Sequence, residues 1–169
     1  LLIKYHYYAA DLNAGSTFID DEQLYVNPVN CLVYLKEKMQ EECILNLEIP
    51  ETYKVATGLT SISKCSFRAD NYDQLADSPF ISGDSLQHDS YIVNHVVFNL
   101  WFRGECKPDW EKIKTDFYKF TELQIKTMGG FPSKEYHFLF HILPYKYYHG
   151  VEHVNSTVIV LGPSYDVMK

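Results

Sequence analysis

The run Tyr148-His149-Gly150-Val151-Glu152-His153-Val154-Asn155-Ser156-Thr157 has two readings, and the choice between them decides both fold and chemistry. On a helix, His149 to His153 would match H-x-x-E-H, an inverted zinc motif in which two imidazoles one turn apart share an ion and the glutamate acts as general base. On a strand, period two sends His149 and His153 to one face and Glu152 to the other, so the three groups cannot converge on a metal. The flanking residues favour the strand. Gly150 inside a helix costs about 1 kcal/mol relative to Ala, and Val151, Val154, Thr157, Val158, Ile159 and Val160 are strand formers. The segment is therefore expected to run extended, and Glu152 is then either a solvated carboxylate at a turn or, beside a glycine that lets another backbone approach an exposed strand edge, the holder of a cationic amino end.

Working outward, Tyr136 to Leu143 alternates Tyr136, Phe138, Phe140 and Ile142 against His137, Leu139, His141 and Leu143, the pattern of a strand buried on both faces and stopped by Pro144. His137 and His141 also stand four apart, but no glutamate lies between them and the alternation is that of a strand, so they read as core imidazoles. Ser156 to Leu161 is rich in β-branched residues and ends at Gly162-Pro163. Upstream, Asp109 is a candidate N-cap for a helix whose apolar face carries Trp110, Ile113, Phe117, Phe120, Leu123 and Met128, with Gly129-Gly130 and Pro132 as the stop. Ser90 to Phe102 reads as a strand block.

The first half reads as short strands: Leu2 to Ala9, Leu24 to Val26, Cys31 to Leu35 and Ile44 to Ile49. The polar, Asp-rich segment from Arg68 to Pro79 reads as a crossing with one helical turn. The expected fold class is α+β, mainly β. Residues 1–72 are read as an amino-terminal β-sandwich, to which strands up to about residue 102 remain attached, and residues 73–169 as the start of a second domain.

Composition bounds the function. The chain has 169 residues, 46% hydrophobic and 22% charged, enough to bury a core without disulfide or metal support. A net charge of −7 and the lack of any basic cluster argue against nucleic acid as a partner. No stretch approaches the roughly 20 apolar residues of a membrane-spanning helix. Cys31, Cys43, Cys65 and Cys106 show no C-x-x-C spacing and read as free thiols, although one disulfide stays open should the protein be exported. The chain opens at Leu1 without a charged region or small-residue cleavage site, so its compartment is not legible from that end.

Several stretches resemble one family in collinear order. Tyr148 to Thr157 resembles the Gly-Gly-Leu-Glu-His-x-Asn-Ser-Thr signature of the glycyl-aminopeptidases, zinc metallopeptidases of family M61. Asp70 to Pro79 is similar to that family's Tyr-Asp-x-Leu-x-Asp-Ser-Pro segment, and His95, Gly129-Gly130-Phe131-Pro132 and Tyr136-His137-Phe138 follow in the same order. The resemblance runs from about residue 3 to residue 162. It implies a β-sandwich leading into the first helix and strands of a thermolysin-like catalytic domain, with peptide as substrate. Carried over by position, Glu152 would hold the α-ammonium of the substrate, Gly150 and Val151 would offer backbone groups to it, and His153 and Asn155 would form the cleft wall. His149 stands where the family has its first glycine.

Such a peptidase needs H-E-x-x-H on a helix to hold zinc and activate water, and none of the seven histidines here is followed by Glu. The chain is accordingly read as an amino-terminal piece that ends before the zinc helix. Zinc is expected in the full-length protein and none in this chain, which has no catalytic residue of its own and should be inactive alone. Sheet surfaces left bare in such a piece invite dimer contacts. A noncatalytic β-sandwich module that binds peptide or glycan is the alternative.

Overall fold

The computed structural model describes residues 1–167. In chain order its elements begin with β1 (Phe18–Ile19), β2 (Gln23–Val26), β3 (Cys43–Asn46), β4 (Lys54–Thr57), β5 (Thr60–Ser63), β6 (Ser66–Ala69) and α1 (Tyr72–Ala76). They continue with β7 (Phe80–Gly83), β8 (Gln87–Val93), β9 (Val96–Gly104), α2 (Trp110–Met128), β10 (Glu135–Ile142), β11 (Tyr147–Glu152), β12 (Ser156–Gly162) and α3 (Ser164–Val167). The strands form three sheets, ordered β1-β2-β7-β4, β3-β6-β5 and β11-β12-β10-β9-β8. The protein is α+β and mainly β, as the sequence indicates.

β10 is the middle strand of the five-stranded sheet and runs parallel to both neighbours, β9 and β12. Every residue from His137 to Ile142 is buried, because both faces are covered. One face meets α2: Phe138, Phe140 and Ile142 join Tyr91, Phe98, Phe102 and Ile125 in an aromatic-rich core. Within it Phe102 stacks on Phe140 at 4.5 Å, and Phe117 meets Phe138 edge-on at 5.1 Å. The other face meets the first sheet, where Leu139, Val158 and Val160 pack against Tyr25, Ala56 and Ile81. The first sheet is completed by β7, which lies beyond residue 72 in the chain and sits between β2 and β4. A smaller core under α1 gathers Leu59, Phe67, Ala69 and Leu75.

The helix is capped as its sequence requires. The Asp109 side chain accepts the Lys112 N–H at 3.1 Å, and Gly129 closes the other end in the left-handed region at φ 77°. Its packed face differs from expectation. Trp110, Ile113, Phe117, Thr121 and Ile125 form the inward stripe, whereas Leu123 and Met128 are exposed. The stripe runs on from Phe117 by four-residue steps, whereas two successive three-residue steps from Phe117 carry Leu123 round to the solvent side at about 3.6 residues per turn.

The strand block read from Ser90 to Phe102 is a hairpin of β8 and β9. Asn94 and His95 form its two-residue turn with φ of 47° and 68°, and Val93 pairs with Val96. This is the mirror-image turn that matches strand twist, built here without glycine. The expected strands Leu2 to Ala9 and Cys31 to Leu35 do not form. Ala10 makes a single bridge to Phe18, while Cys31 to Leu35 lies between 3-10 turns at Pro28–Asn30 and Lys36–Lys38, so it has no ladder partner. Ile44 to Ile49 is strand only as far as Asn46. The four cysteines are free, and no described helix is long and apolar enough to cross a membrane.

Two glycines of the left-handed region separate conformation from crowding. At Gly104, φ 117°, an added Cβ would overlap the Ile142 carbonyl of the parallel neighbour; at Gly129 it would meet nothing within 4 Å. Gly104→Ala should therefore lower unfolding free energy by roughly 3 kcal/mol or more and Gly129→Ala by about 1 kcal/mol, measured by urea denaturation.

The core also stores a pH response. Burial pushes His137 down to about 4, and burial together with the Arg103 charge pushes His141 down to about 3. Both stay neutral in the fold, while in the unfolded chain they take up protons below about pH 6.5. Stability should be flat above that pH and should fall between pH 6.5 and 4 by up to about 1.4 kcal/mol per pH unit for each histidine. His141→Phe, keeping a ring against Tyr25, should remove about half of the slope in urea titrations across that range.

Candidate functional site

Tyr147–Glu152 is extended and forms an edge of the five-stranded sheet. It pairs antiparallel with β12 from Tyr147 opposite Gly162 to Glu152 opposite Thr157, and among the described residues no strand lies on its outer side. A row of backbone donors and acceptors is thus free along that rim. Alternation then sorts the side chains. Tyr147 and Val151 pack into the core between the sheets, and the His149 ring accepts the Ala14 N–H through Nδ1 at 3.2 Å. Gly150 and Glu152 take the opposite, helix-side face.

On that face Glu152 stands at a cleft of about 470 Å³ whose walls include Phe120, Met128, Phe131, Phe138 and Thr157. The Tyr136 hydroxyl, which also lines it, hydrogen-bonds the Thr157 hydroxyl. Burial pushes the Tyr136 phenol up, and the charges of Glu152 and Asp77 add to that effect, so it remains a neutral donor or acceptor. Gly150 is exposed and its backbone is not left-handed. An added Cβ would meet only the Val158 carbonyl oxygen at 3.8 Å, an ordinary contact. Among the described residues nothing requires a glycine there.

The turn after the strand places the remaining expected residues differently from one another. The His153 side chain is buried, with Nδ1 at 2.9 Å from Asp77 Oδ1, and the His153 N–H donates to the Ser156 carbonyl at 2.8 Å. Val154 donates its N–H to Asp77 Oδ2 at 2.8 Å. The Asn155 carbonyl accepts the His137 N–H at 3.0 Å, which begins the parallel ladder between β10 and β12. Asn155 also lines a second cleft beside Asp73, Asp77 and Ser78. Of the five expected residues, Gly150, Val151 and Glu152 therefore share the edge strand, while His153 and Asn155 build the turn that supports it. Asp77 was not singled out by the sequence. Its only signal was its place in the Asp77-Ser78-Pro79 segment, 76 residues away from its partner.

The residues described here do not fit a zinc site. His149 and His153 are bonded to Ala14 and Asp77, and no group of three His, Cys, Asp or Glu side chains is placed to hold an ion among the described residues. The helical reading of His149 to His153 is excluded by the strand.

Comparison with known proteins places this geometry. The family model for the peptidase M61 N-terminal domain matches residues 1–84, which end just after β7 completes the first sheet. Among solved structures, an aminopeptidase N family protein from Idiomarina loihiensis is 32% identical with a TM-score of 0.84, over 90% of this chain and 27% of that one. An M1 zinc metallopeptidase from Deinococcus radiodurans is far more distant, at 13% identity and a TM-score of 0.43 over 70% of this chain and 29% of that one. No curated protein matches the sequence. The chain thus spans about a quarter of the length of its Idiomarina relative. Residues 1–84 thus form a peptidase M61 N-terminal domain, and 90% of the chain shares the architecture of the Idiomarina protein at 32% identity.

Proposed function

We propose that this chain is the amino-terminal portion of a zinc-dependent aminopeptidase and supplies the edge strand that receives the free end of a peptide. The observation that carries the reading is Gly150: an exposed glycine on an unpaired sheet edge that the fold itself does not need. A substrate backbone would pair along β11, as in other cases of strand addition. Two residues on, the Glu152 carboxylate would accept the α-ammonium in a charge-assisted hydrogen bond. The largely apolar cleft lies beside that contact.

The sheet of β8 to β12 with α2 is read as the beginning of a thermolysin-like catalytic domain following an amino-terminal β-sandwich domain. Zinc, held by sequence outside the described residues, would lower the pKa of a bound water and polarise the scissile carbonyl. This chain's own part is to bind and orient the peptide. Bare edges such as β11 also give the isolated chain a surface for pairing with a second copy.

Three outcomes test the reading. Translation of the gene beyond Lys169 should reveal H-E-x-x-H, and the protein carrying it should bind one zinc while this 169-residue chain binds none stoichiometrically. In that longer protein Glu152→Gln should raise KM roughly tenfold for peptides with a free amino terminus and leave amino-blocked ones nearly unchanged; equal loss on both removes Glu152 from the role. Gly150→Val should leave the thermal midpoint of the chain within a few degrees of the parent while weakening peptide binding.

A further inference from the structure

The far end of the edge strand is held by a residue from the other half of the chain. β11 is paired on one side only, contains a glycine, and makes its last pairing at Glu152 opposite Thr157. Strand ends of this kind fray, since glycine adds no packing and edge hydrogen bonds are open to water. The two residues that follow are both tied to one carboxylate, with His153 Nδ1 on Asp77 Oδ1 and the Val154 N–H on Asp77 Oδ2. A carboxylate oxygen only accepts, so Nδ1 carries the proton and both contacts are donations to Asp77.

Asp77 is itself firmly placed. It ends α1, where its own N–H donates to the Asp73 carbonyl at 3.0 Å, and the next residue, Ser78, is buried with its hydroxyl on the Gln74 carbonyl at 2.6 Å. At the other end the Asn71 side chain caps the helix by accepting the Gln74 N–H at 2.8 Å, and Leu75 anchors it in the small core beside the second sheet. A short helix and a satellite core thus hold one carboxylate against the turn.

We propose that Asp77 is a positioning residue for Glu152: by clamping His153 and Val154 it fixes the end of β11 and with it the direction of the Glu152 carboxylate. The proposal rests on the reading of Glu152 as the anchor of a substrate amino terminus. Asp77 does not touch the ligand; it removes conformations of the strand end that would otherwise have to be ordered at the moment of binding.

The test uses the tripeptide Ala-Ala-Phe amide and its N-acetyl form, titrated into the 169-residue chain and followed by the amide resonances of Gly150 to Glu152. The parent should bind the free form roughly tenfold more tightly, and Glu152→Gln should abolish that preference. Asp77→Asn leaves one acceptor for two donors and should narrow the preference to within about threefold, with affinity for the acetylated peptide unchanged. The double variant should be no worse than Glu152→Gln alone, because the two residues act through one contact. If Asp77→Asn does not fold, His153→Leu removes one of the two tethers and is read in the same way. An unchanged preference in these variants, or equal loss on both peptides, overturns the proposal while the reading of Glu152 stands. A parent without preference, or one that survives Glu152→Gln, overturns the reading and the proposal together.

Discussion

Burial of one strand on both faces constrains everything else in this protein. β10 has no solvent side, so something apolar must lie above it and something apolar below. α2 supplies the first cover and the four-stranded sheet the second, and the aromatic residues of β8 to β10 fill the space toward the helix. The same requirement puts His137 and His141 where burial disfavours the charged ring. The five-stranded sheet has β10 at its centre, and it is the end of this sheet, away from the double cover, that leaves a backbone free to meet another chain.

Position within the sheet thus explains where binding chemistry can reside. β12 is still clamped between neighbours; β11 has only one. Its inward residues are spent on packing and on the Ala14 contact, so the backbone, Tyr148, Gly150 and Glu152 are what remain to face anything else. The amino-terminal half is more than a cap over the sheet. Through α1 and Asp77 it reaches the turn on which that edge depends, which links the part of the chain matched by the family model to the part that carries Glu152.

Much of this was legible because it was local. The choice between strand and helix at His149 to His153 followed from Gly150 and the β-branched residues around it, and the caps of α2 were written in Asp109 and Gly129. What stayed hidden had a nonlocal cause or an unusual turn. Asn94-His95 adopts a conformation normally signalled by glycine, so β8 and β9 merged into one block. Leu2 to Ala9 has strand composition but forms no ladder, its end touching β1 only through the Ala9 carbonyl and the Ala10 bridge, and composition does not reveal partners. Glu152 was identified by spacing and resemblance, whereas Asp77 meets His153 only after both halves have folded, and no periodicity records such a meeting.

The connection between β9 and β10 has its own consequence for the order of assembly. The two strands are parallel, so no tight turn can join them, and the link runs through all of α2. As the chain leaves the ribosome, the β8 and β9 hairpin can close at once, with the rings of Tyr91, Phe98 and Phe102 still wet. About thirty further residues must emerge before Phe138 and Phe140 arrive to cover them. The aromatic layer under the helix therefore stays exposed until β10 has emerged, an interval in which a nascent chain offers apolar surface to other chains.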